Sequence, residues 1–150
     1  MKKIVKLVGL IAFWCGSSFV YANECAFDVP VGDNMTFGVT DISVPAGCSN
    51  ITINLNHAGK LPANVMGHNW VLSLGQDVQG VAMAGIPAGL ANNYIPAGDA
   101  RVLASTKVIG GGESTSVTFS TGQLDKGTDY VYFCSFPGHF AVMRGTLRLQ

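Results

Sequence analysis

Apolar and polar residues alternate along much of the chain, in short segments separated by Gly, Pro, Asn and Asp. Alternation with a period of two is typical of a β-strand that buries one face. The pattern predicts strands in seven segments: CAFDVPVG (25–32), MTFGVTDISVP (35–45), ITINLNH (51–57), NWVLSLG (69–75), TSVTFST (115–121), DYVYFC (129–134) and GTLRLQ (145–150). Many short strands joined by turns favour an all-β sandwich or Greek-key barrel, here of about eight strands.

One long segment departs from this pattern. Residues 76–105 are rich in Gly, Ala, Pro and Asn and show no sustained alternation. A short helix is expected around residues 81–90, lying outside the sheets. We call residues 76–105 the flap.

The first 22 residues have the character of a secretory signal. MKKIVK is basic, VGLIAFWC is apolar, and Val20 and Ala22 occupy the small-residue positions that signal peptidase recognises. The apolar run is shorter than the roughly 20 residues needed to span a bilayer. We therefore predict cleavage after Ala22, export to the periplasm, and a single mature domain over residues 23–150.

Charge argues against a nucleic-acid partner. Three of the nine basic residues, Lys2, Lys3 and Lys6, belong to the signal, so the mature chain has six Lys and Arg against nine Asp and Glu. No two basic residues are adjacent in it. Binding to phosphates requires clustered positive charge, which this chain lacks.

Export also affects which cysteines remain in the mature chain and whether they are expected to form a disulfide. The mature chain keeps Cys25, Cys48 and Cys134. In an oxidising compartment two of them should pair. Because Cys25 and Cys48 lie close together near the mature N-terminus, we expect them to form a disulfide, worth roughly 3 kcal/mol in the chain-entropy model. Cys134 is then a single thiol, prone to oxidation unless something binds or shields it.

Cys134 opens the most informative stretch of the chain. It ends a predicted strand, and His139 and Met143 follow in the pattern Cys-x4-His-x3-Met, with Pro137-Gly138 as a turn. One more ligand would have to come from elsewhere, and His68 is the obvious candidate. Two imidazoles and a thiolate with a weak axial thioether are typical of a blue-copper electron-transfer site. Such a mixed set of donors holds Cu(I) and Cu(II) with little rearrangement.

Three other functions remain open on the residues alone. An enzyme could use Cys134 as nucleophile and His139 as base, although the residues directly after His139 offer no side chain to orient it. A copper chaperone or storage protein would bind copper and pass it on, through sites that tend to be open and rich in Met or His. Zinc also accepts Cys and His ligands.

At these residues the sequence resembles a known family. VMGHNWVL, YVYFCSFPGH and FAVMRGTLRL are similar to segments of azurins, bacterial blue-copper proteins with the cupredoxin fold. ECAFDV, NLNHAGKLPANVMGHNWVLS, DVQGVAMAGI and ARVLASTKVIGGGESTSVTF extend the similarity over essentially all of residues 23–150. Gly67 before His68 favours azurins, because related small blue proteins more often have proline there.

The resemblance implies a fold and a set of ligands for one copper ion. The fold would be a cupredoxin sandwich. The equatorial ligands would be His68, Cys134 and His139, with Met143 a distant axial ligand and the Gly67 carbonyl on the opposite side. Asn69 would tie the two ligand loops together. Cys25 and Cys48 match the family's single disulfide.

The resemblance also implies how the protein meets its partners. The edge of His139 would be exposed in an apolar patch formed by Met35, Leu61, Met66, Ile86, Phe136 and Val142. The expected partners are a c-type cytochrome and a respiratory enzyme such as a nitrite reductase, with the protein a monomeric electron carrier rather than an enzyme.

His57 would lie near the copper without binding it, and Trp70 would be buried. Phe140 departs from the family, where a smaller residue is common, and would place an aromatic ring beside the exit route for electrons.

Overall fold

The chain folds into two β-sheets with a helical flap on one of them. The computed structural model describes residues 25–150, so the predicted signal segment lies outside the described residues. One sheet has three strands in the order β1-β3-β6 and the other has five in the order β2-β8-β7-β4-β5. The strands are β1 (Ala26–Val31), β2 (Asp41–Val44), β3 (Asn50–His57), β4 (Val71–Leu74), β5 (Ala104–Ser105), β6 (Ser114–Ser120), β7 (Tyr130–Phe133) and β8 (Arg144–Leu149).

Two short α-helices and several 3₁₀ turns connect the strands. The helices are α1 (Ala63–Met66) and α2 (Val78–Gly85), and the 3₁₀ turns span Gly75–Asp77, Ile86–Ala88, Leu90–Asn92, Thr121–Gln123 and His139–Ala141. Strand β1 pairs with β3 and β2 with β8 in parallel, and all other pairs are antiparallel. The predicted all-β sandwich of about eight strands is confirmed. No helix within residues 25–150 combines the length and the apolar character needed to cross a bilayer.

Three features differ from the sequence prediction by more than the one or two residues seen at most strand ends. The segment 35–45 is a strand only from Asp41, because the chain first turns back on β1, where the amide of Gly38 donates to the Pro30 carbonyl at 2.8 Å. Helix α2 starts at residue 78 rather than 81 and ends at Gly85, since Pro87 has no amide hydrogen to continue it. The flap also contributes a strand, β5, which pairs with β4.

The main core lies between the two sheets. Alternation along β3 points Ile51, Ile53 and Leu55 inward, and all three are completely buried. From the opposite sheet Tyr132 meets them, stacked on the buried Trp70 with ring centroids 5.3 Å apart. The Tyr132 hydroxyl donates to the Val39 carbonyl at 2.7 Å. Hydrophobic burial is therefore concentrated where the two sheets face each other.

A second, smaller core lies under the flap. We call it the flap cluster: buried Val71, Val78, Val81, Ala82 and Phe133, with the partly buried Ile95, Val102, Val131 and Phe140 packed around them. Strand β7 therefore has both faces covered. Tyr130, Tyr132 and the following Cys134 belong to the main core, whereas Val131 and Phe133 belong to the flap cluster. The division follows from strand geometry, in which successive side chains point to opposite faces.

The predicted disulfide is present. Cys25, directly before β1, is joined to Cys48 in the loop before β3, with their Cα atoms 5.6 Å apart. Cys134 is a free, buried thiol. The cross-link and the candidate ligand are thus separate, as the cysteine spacing indicated.

Close packing at Gly145 leads to a stability prediction. Gly145 pairs with Tyr132 across β7 and β8, and a Cβ atom at this glycine would collide with the Tyr132 ring. Gly145→Ala should lower the free energy of unfolding by about 1–3 kcal/mol, because the ring has to move within a packed core. Urea denaturation measures the change. Gly47→Ala is the control, since a Cβ there meets no atom within 4 Å, and equal stabilities of the two variants would contradict the prediction.

Candidate metal centre

Cys134 reaches the interior because of where β7 ends. It directly follows the strand, on the face that carries Tyr130 and Tyr132, and its side chain is completely buried. Its amide donates to the carbonyl of Met143 at 3.1 Å, which holds the two ends of the loop together. The sulfur is therefore fixed by the sheet on one side and by the returning chain on the other.

His139 is brought back to the sulfur by a tight turn. Gly138 has φ of 86°, a left-handed conformation that glycine adopts without steric cost. The His139 amide donates to the Phe136 carbonyl at 3.0 Å, and a 3₁₀ turn follows at once. As a result Nδ1 of His139 lies 3.6 Å from Sγ of Cys134. The turn predicted at Pro137-Gly138 is confirmed.

His68 approaches the same sulfur from the other side. It lies between α1 and β4, where its backbone pairs with Ile109 in both directions, at 3.0 and 2.9 Å. Its Nε2 lies 2.8 Å from the Gly32 carbonyl. Because a carbonyl only accepts, Nε2 carries the proton and Nδ1 has a free lone pair. That Nδ1 lies 3.8 Å from Sγ of Cys134.

These three side chains form the candidate metal centre. Their ligand atoms all lie within 4.8 Å of one another, and all three residues are buried. His68 and Cys134 are completely buried, and His139 keeps only 4% of its surface exposed. Two imidazole nitrogens and one sulfur converge on one enclosed point, as the sequence predicted. Donors of this kind suit copper or zinc.

Burial changes the protonation of each candidate ligand. It raises the pKa of the Cys134 thiol to about 12, and the backbone amides of Asn69 and Phe136, directed at the sulfur, offset part of this rise. Burial, together with the nearby charge of His68, lowers the pKa of His139 to about 4. It also lowers the pKa of His68, against the effect of the bond to Gly32. In the absence of a metal at neutral pH the centre holds two neutral imidazoles and a protonated thiol.

The two residues predicted as axial ligands, Gly67 and Met143, contact the candidate ligands through their backbone. The Gly67 carbonyl lies 3.8 Å from Sγ of Cys134. Met143 is completely buried, its amide donates to the His139 carbonyl at 2.8 Å, and its own carbonyl accepts from Cys134. The backbone of Met143 therefore links both ligands of the C-terminal loop.

Asn69 joins the two ligand loops, as the resemblance implied. Its Oδ1 accepts from the amide of Ser135 at 2.9 Å, and its Nδ2 donates to the Ser135 hydroxyl at 2.8 Å and to the Asn93 carbonyl at 3.0 Å. Sequence reasoning did not identify Ser135 or Asn93 as parts of this network. Ser135 could have been found from its place beside Cys134. Asn93, with φ of 57°, could have been found from the Asn-Asn turn signal in the flap.

His57 lies beside the centre without facing the sulfur. Its ring stacks on that of His68, with centroids 5.0 Å apart. Its Nε2 donates to the Met66 carbonyl at 3.1 Å, and its Nδ1 accepts from the Gly59 amide at 3.1 Å. Both ring nitrogens are thus engaged with the backbone, in keeping with the non-ligand role expected for this histidine.

The residues expected to form an apolar patch differ in exposure. Met35, Leu61, Ile86 and Val142 are the exposed ones, at 42%, 38%, 40% and 61% of their surface. Met66 and Phe136 are half-buried, and the Phe136 ring lies 4.6 Å from that of His139. Val65 and Met83, which the sequence did not point to, are also large exposed apolar residues.

The contacts of Phe140 were not predicted from the sequence. Its half-buried ring lies against the flap cluster. The sequence had suggested an aromatic ring beside the exit route for electrons. The structure shows in addition that one side of the ring packs against the flap cluster.

Comparison with known proteins agrees with this fold and this centre. Residues 23–150 match the family model described as copper binding proteins, plastocyanin/azurin family. The azurin of Bordetella pertussis is 54% identical over 143 residues, covering 95% of each chain. The azurin of Pseudomonas aeruginosa is 48% identical over 134 residues, covering 89% of this chain and 90% of the relative.

A solved structure supports the same assignment. The azurin Az-iso2 from the obligate methylotroph Methylomonas sp. strain J superposes with a TM-score of 0.82 at 52% identity, covering 84% of this chain and 98% of its own. Similarity at this level over the whole described domain extends the match from the ligands to the fold. The chain therefore belongs to the plastocyanin/azurin family of copper-binding proteins.

Proposed function

We propose that the protein carries single electrons in the periplasm, using one copper ion bound by His68, Cys134 and His139. The observation that carries this proposal is the convergence of two imidazole Nδ1 atoms and one sulfur within 4.8 Å of one another, all on buried residues. Met143 and the Gly67 carbonyl complete the set as weak axial groups. Family membership already identifies the chain as a copper electron-transfer protein with one copper ion.

The side chains around the centre prepare it for a metal cation. The Gly32 carbonyl holds the proton of His68 on Nε2, so Nδ1 is available to bind. The Cys134 thiol, whose pKa is raised by burial, releases its proton when the metal binds. Burial then excludes water from the ligands. Copper bound there would supply the one-electron couple between Cu(I) and Cu(II).

Electrons would enter and leave at the narrow exposed edge of His139. Met35, Leu61, Ile86 and Val142 provide exposed apolar surface for a docking patch, with the half-buried Met66 and Phe136 contributing to it. A small apolar contact suits a partner that must dissociate quickly. A c-type cytochrome and a respiratory reductase such as a nitrite reductase are the proposed partners, and the mature chain 23–150 would act as a monomer after cleavage of residues 1–22.

The structure weighs against two of the three other functions, the enzyme and the copper chaperone. A nucleophilic cysteine must be accessible and partly ionised, whereas Cys134 is completely buried with a raised pKa. A chaperone site should release its ion readily, whereas these three ligands are enclosed. Zinc fits the donors equally well. Family membership favours copper over zinc as the resident ion.

Replacement of the proposed thiolate tests the site directly. Titration of the mature protein with Cu(II) should give an intense blue thiolate-to-copper absorption band that saturates at one equivalent and bleaches reversibly with a mild reductant. Cys134→Ser should abolish the band, since the hydroxyl cannot replace the thiolate. Met143→Leu, which removes only the weak axial group, should keep an intense band. A wild-type spectrum that is pale or unaffected by Cys134→Ser would refute the ligand assignment.

Loss of the Asn69 amide should destabilise the protein without removing the ligands. Asn69→Leu leaves the buried Ser135 amide without its partner, while the Ser135 hydroxyl keeps only its bond to the Asn93 carbonyl. The free energy of unfolding should therefore fall by about 1–3 kcal/mol. Urea denaturation of the metal-free protein measures this loss. Asn92→Leu is the matched control, because the exposed Asn92 bonds only the Ala88 carbonyl through its side chain. Similar losses in both variants would contradict the role assigned to Asn69.

The lowered pKa of His139 gives the metal-free protein a defined pH dependence. In the unfolded chain the imidazole of His139 has the ordinary pKa of 6.5, whereas in the folded chain its pKa is about 4. The contribution of His139 to the free energy of unfolding is therefore fully present above the unfolded-state pKa. It is lost as the pH falls, by about 2 kcal/mol between about pH 7 and 4.5. His68, whose pKa is also lowered, adds a loss of the same sign.

Urea denaturation of the metal-free protein across this pH range measures the effect. The carboxyl groups with lowered pKa, Asp33 and Asp99, have an ordinary value of 3.8 and contribute mainly below the range. His139→Gln removes the titrating ring and should flatten the profile. A variant profile as steep as that of the wild type would show that His139 is not the source.

A further inference from the structure

The ligand His139 lies between two aromatic residues that pack in different directions. Phe136, three residues before it, packs against the main core, with its ring 4.6 Å from that of His139. Phe140, the next residue, packs against the flap cluster under helix α2. The turn that carries His139 is therefore attached to both cores of the protein.

The two histidine ligands are held in different ways. The ring of His68 is fixed by the hydrogen bond from Nε2 to the Gly32 carbonyl. Within residues 25–150 no protein group forms a hydrogen bond with Nε2 of His139, and its Nδ1 faces Cys134. Because no such bond fixes this ring, its orientation depends on the packing of its turn.

Hydrogen bonds within the turn connect Phe140 and His139 to the residues that follow, among them the candidate ligand Met143. The Phe140 carbonyl accepts from Nε and Nη2 of Arg144, at 3.2 and 2.9 Å. In the same turn the His139 carbonyl accepts from the amides of Val142 and Met143, at 3.1 and 2.8 Å. A displacement of Phe140 would therefore disturb both His139 and Met143.

We propose that Phe140 is a positioning residue, which fixes the His139 turn by anchoring it to the flap cluster beneath helix α2. Electron transfer is fast when the ligands keep one arrangement in both oxidation states, so an anchored turn serves the exchange. The significance for electron transfer rests on the proposed function above. The anchoring itself is a property of the chain and can be measured without copper.

Hydrogen exchange of the metal-free protein tests the anchor. Phe140→Ala should accelerate exchange of the Met143 amide about tenfold or more relative to the amides of β3, because local opening becomes easier. Phe140→Leu, which keeps a large apolar side chain that can still reach the flap cluster, should restore most of the protection. Phe27→Ala is the matched control: Phe27 is also partly buried, but it packs against the main core from β1. It should not raise the ratio of the Met143 rate to the β3 rates, because any opening that it causes lies beside β3, with which β1 pairs.

The outcomes separate anchoring from a general loss of stability. If Phe140→Ala changes the Met143 and β3 amides equally, as a global effect would, the proposal is overturned. If Phe140→Ala does not fold, Phe140→Val serves in its place, because its side chain is shorter than that of leucine and should raise the same ratio to a smaller degree.

Copper release provides a second readout. Transfer of copper to an excess of chelator should be about tenfold faster in Phe140→Ala than in the wild type and little changed in Phe27→Ala, because a mobile ligand turn opens the site locally. Equal release rates in all three proteins would overturn the positioning role. A wild type that binds no copper would instead refute the proposed function, while the exchange ratio would still decide whether Phe140 anchors the turn.

Discussion

The burial of Cys134 is the constraint on which the rest of the centre depends. A thiol enclosed in a protein interior holds its proton strongly, and here burial raises its pKa to about 12. The two backbone amides directed at the sulfur compensate only part of the cost of a buried thiolate, and a cation at the sulfur compensates the rest. The two neutral histidines beside it add donors without adding charge. Enclosure thus makes the sulfur both a poor nucleophile and a suitable ligand for a soft metal.

The fold provides this enclosure by covering both faces of β7. The main core lies on the Tyr132 face and the flap cluster on the Phe133 face. Cys134, at the end of the strand, lies between the ligand loops rather than at an open sheet edge. The flap contributes helix α2 and the Asn93 carbonyl, so it is part of the support of the site. Its irregular composition gave little sign of this role.

Each ligand is held by a different contact. His68 is oriented through Gly32, Cys134 is held through the carbonyl of Met143, and His139 depends on the turn between its aromatic neighbours. Asn69 and Ser135 connect the two loops with buried hydrogen bonds. A polar network of this kind favours a single arrangement, because any displacement leaves buried groups without partners. The centre is therefore largely organised by the chain before a metal binds.

The sequence by itself determined seven of the eight strands, the Cys25–Cys48 pair and the candidate ligands. The strands follow from local alternation and the cysteine pair from spacing. Cys134 and His139 follow from the motif of one loop, and His68 from the resemblance to a known family. Tertiary structure alone decided the rest. The short strand β5, the later start of β2, the carbonyl of Asn93 beside Asn69 and the packing of Phe140 all depend on segments distant in sequence. A local pattern predicts the periodicity of a strand. It does not predict which backbone groups and side chains come into contact when two sheets and a flap pack together.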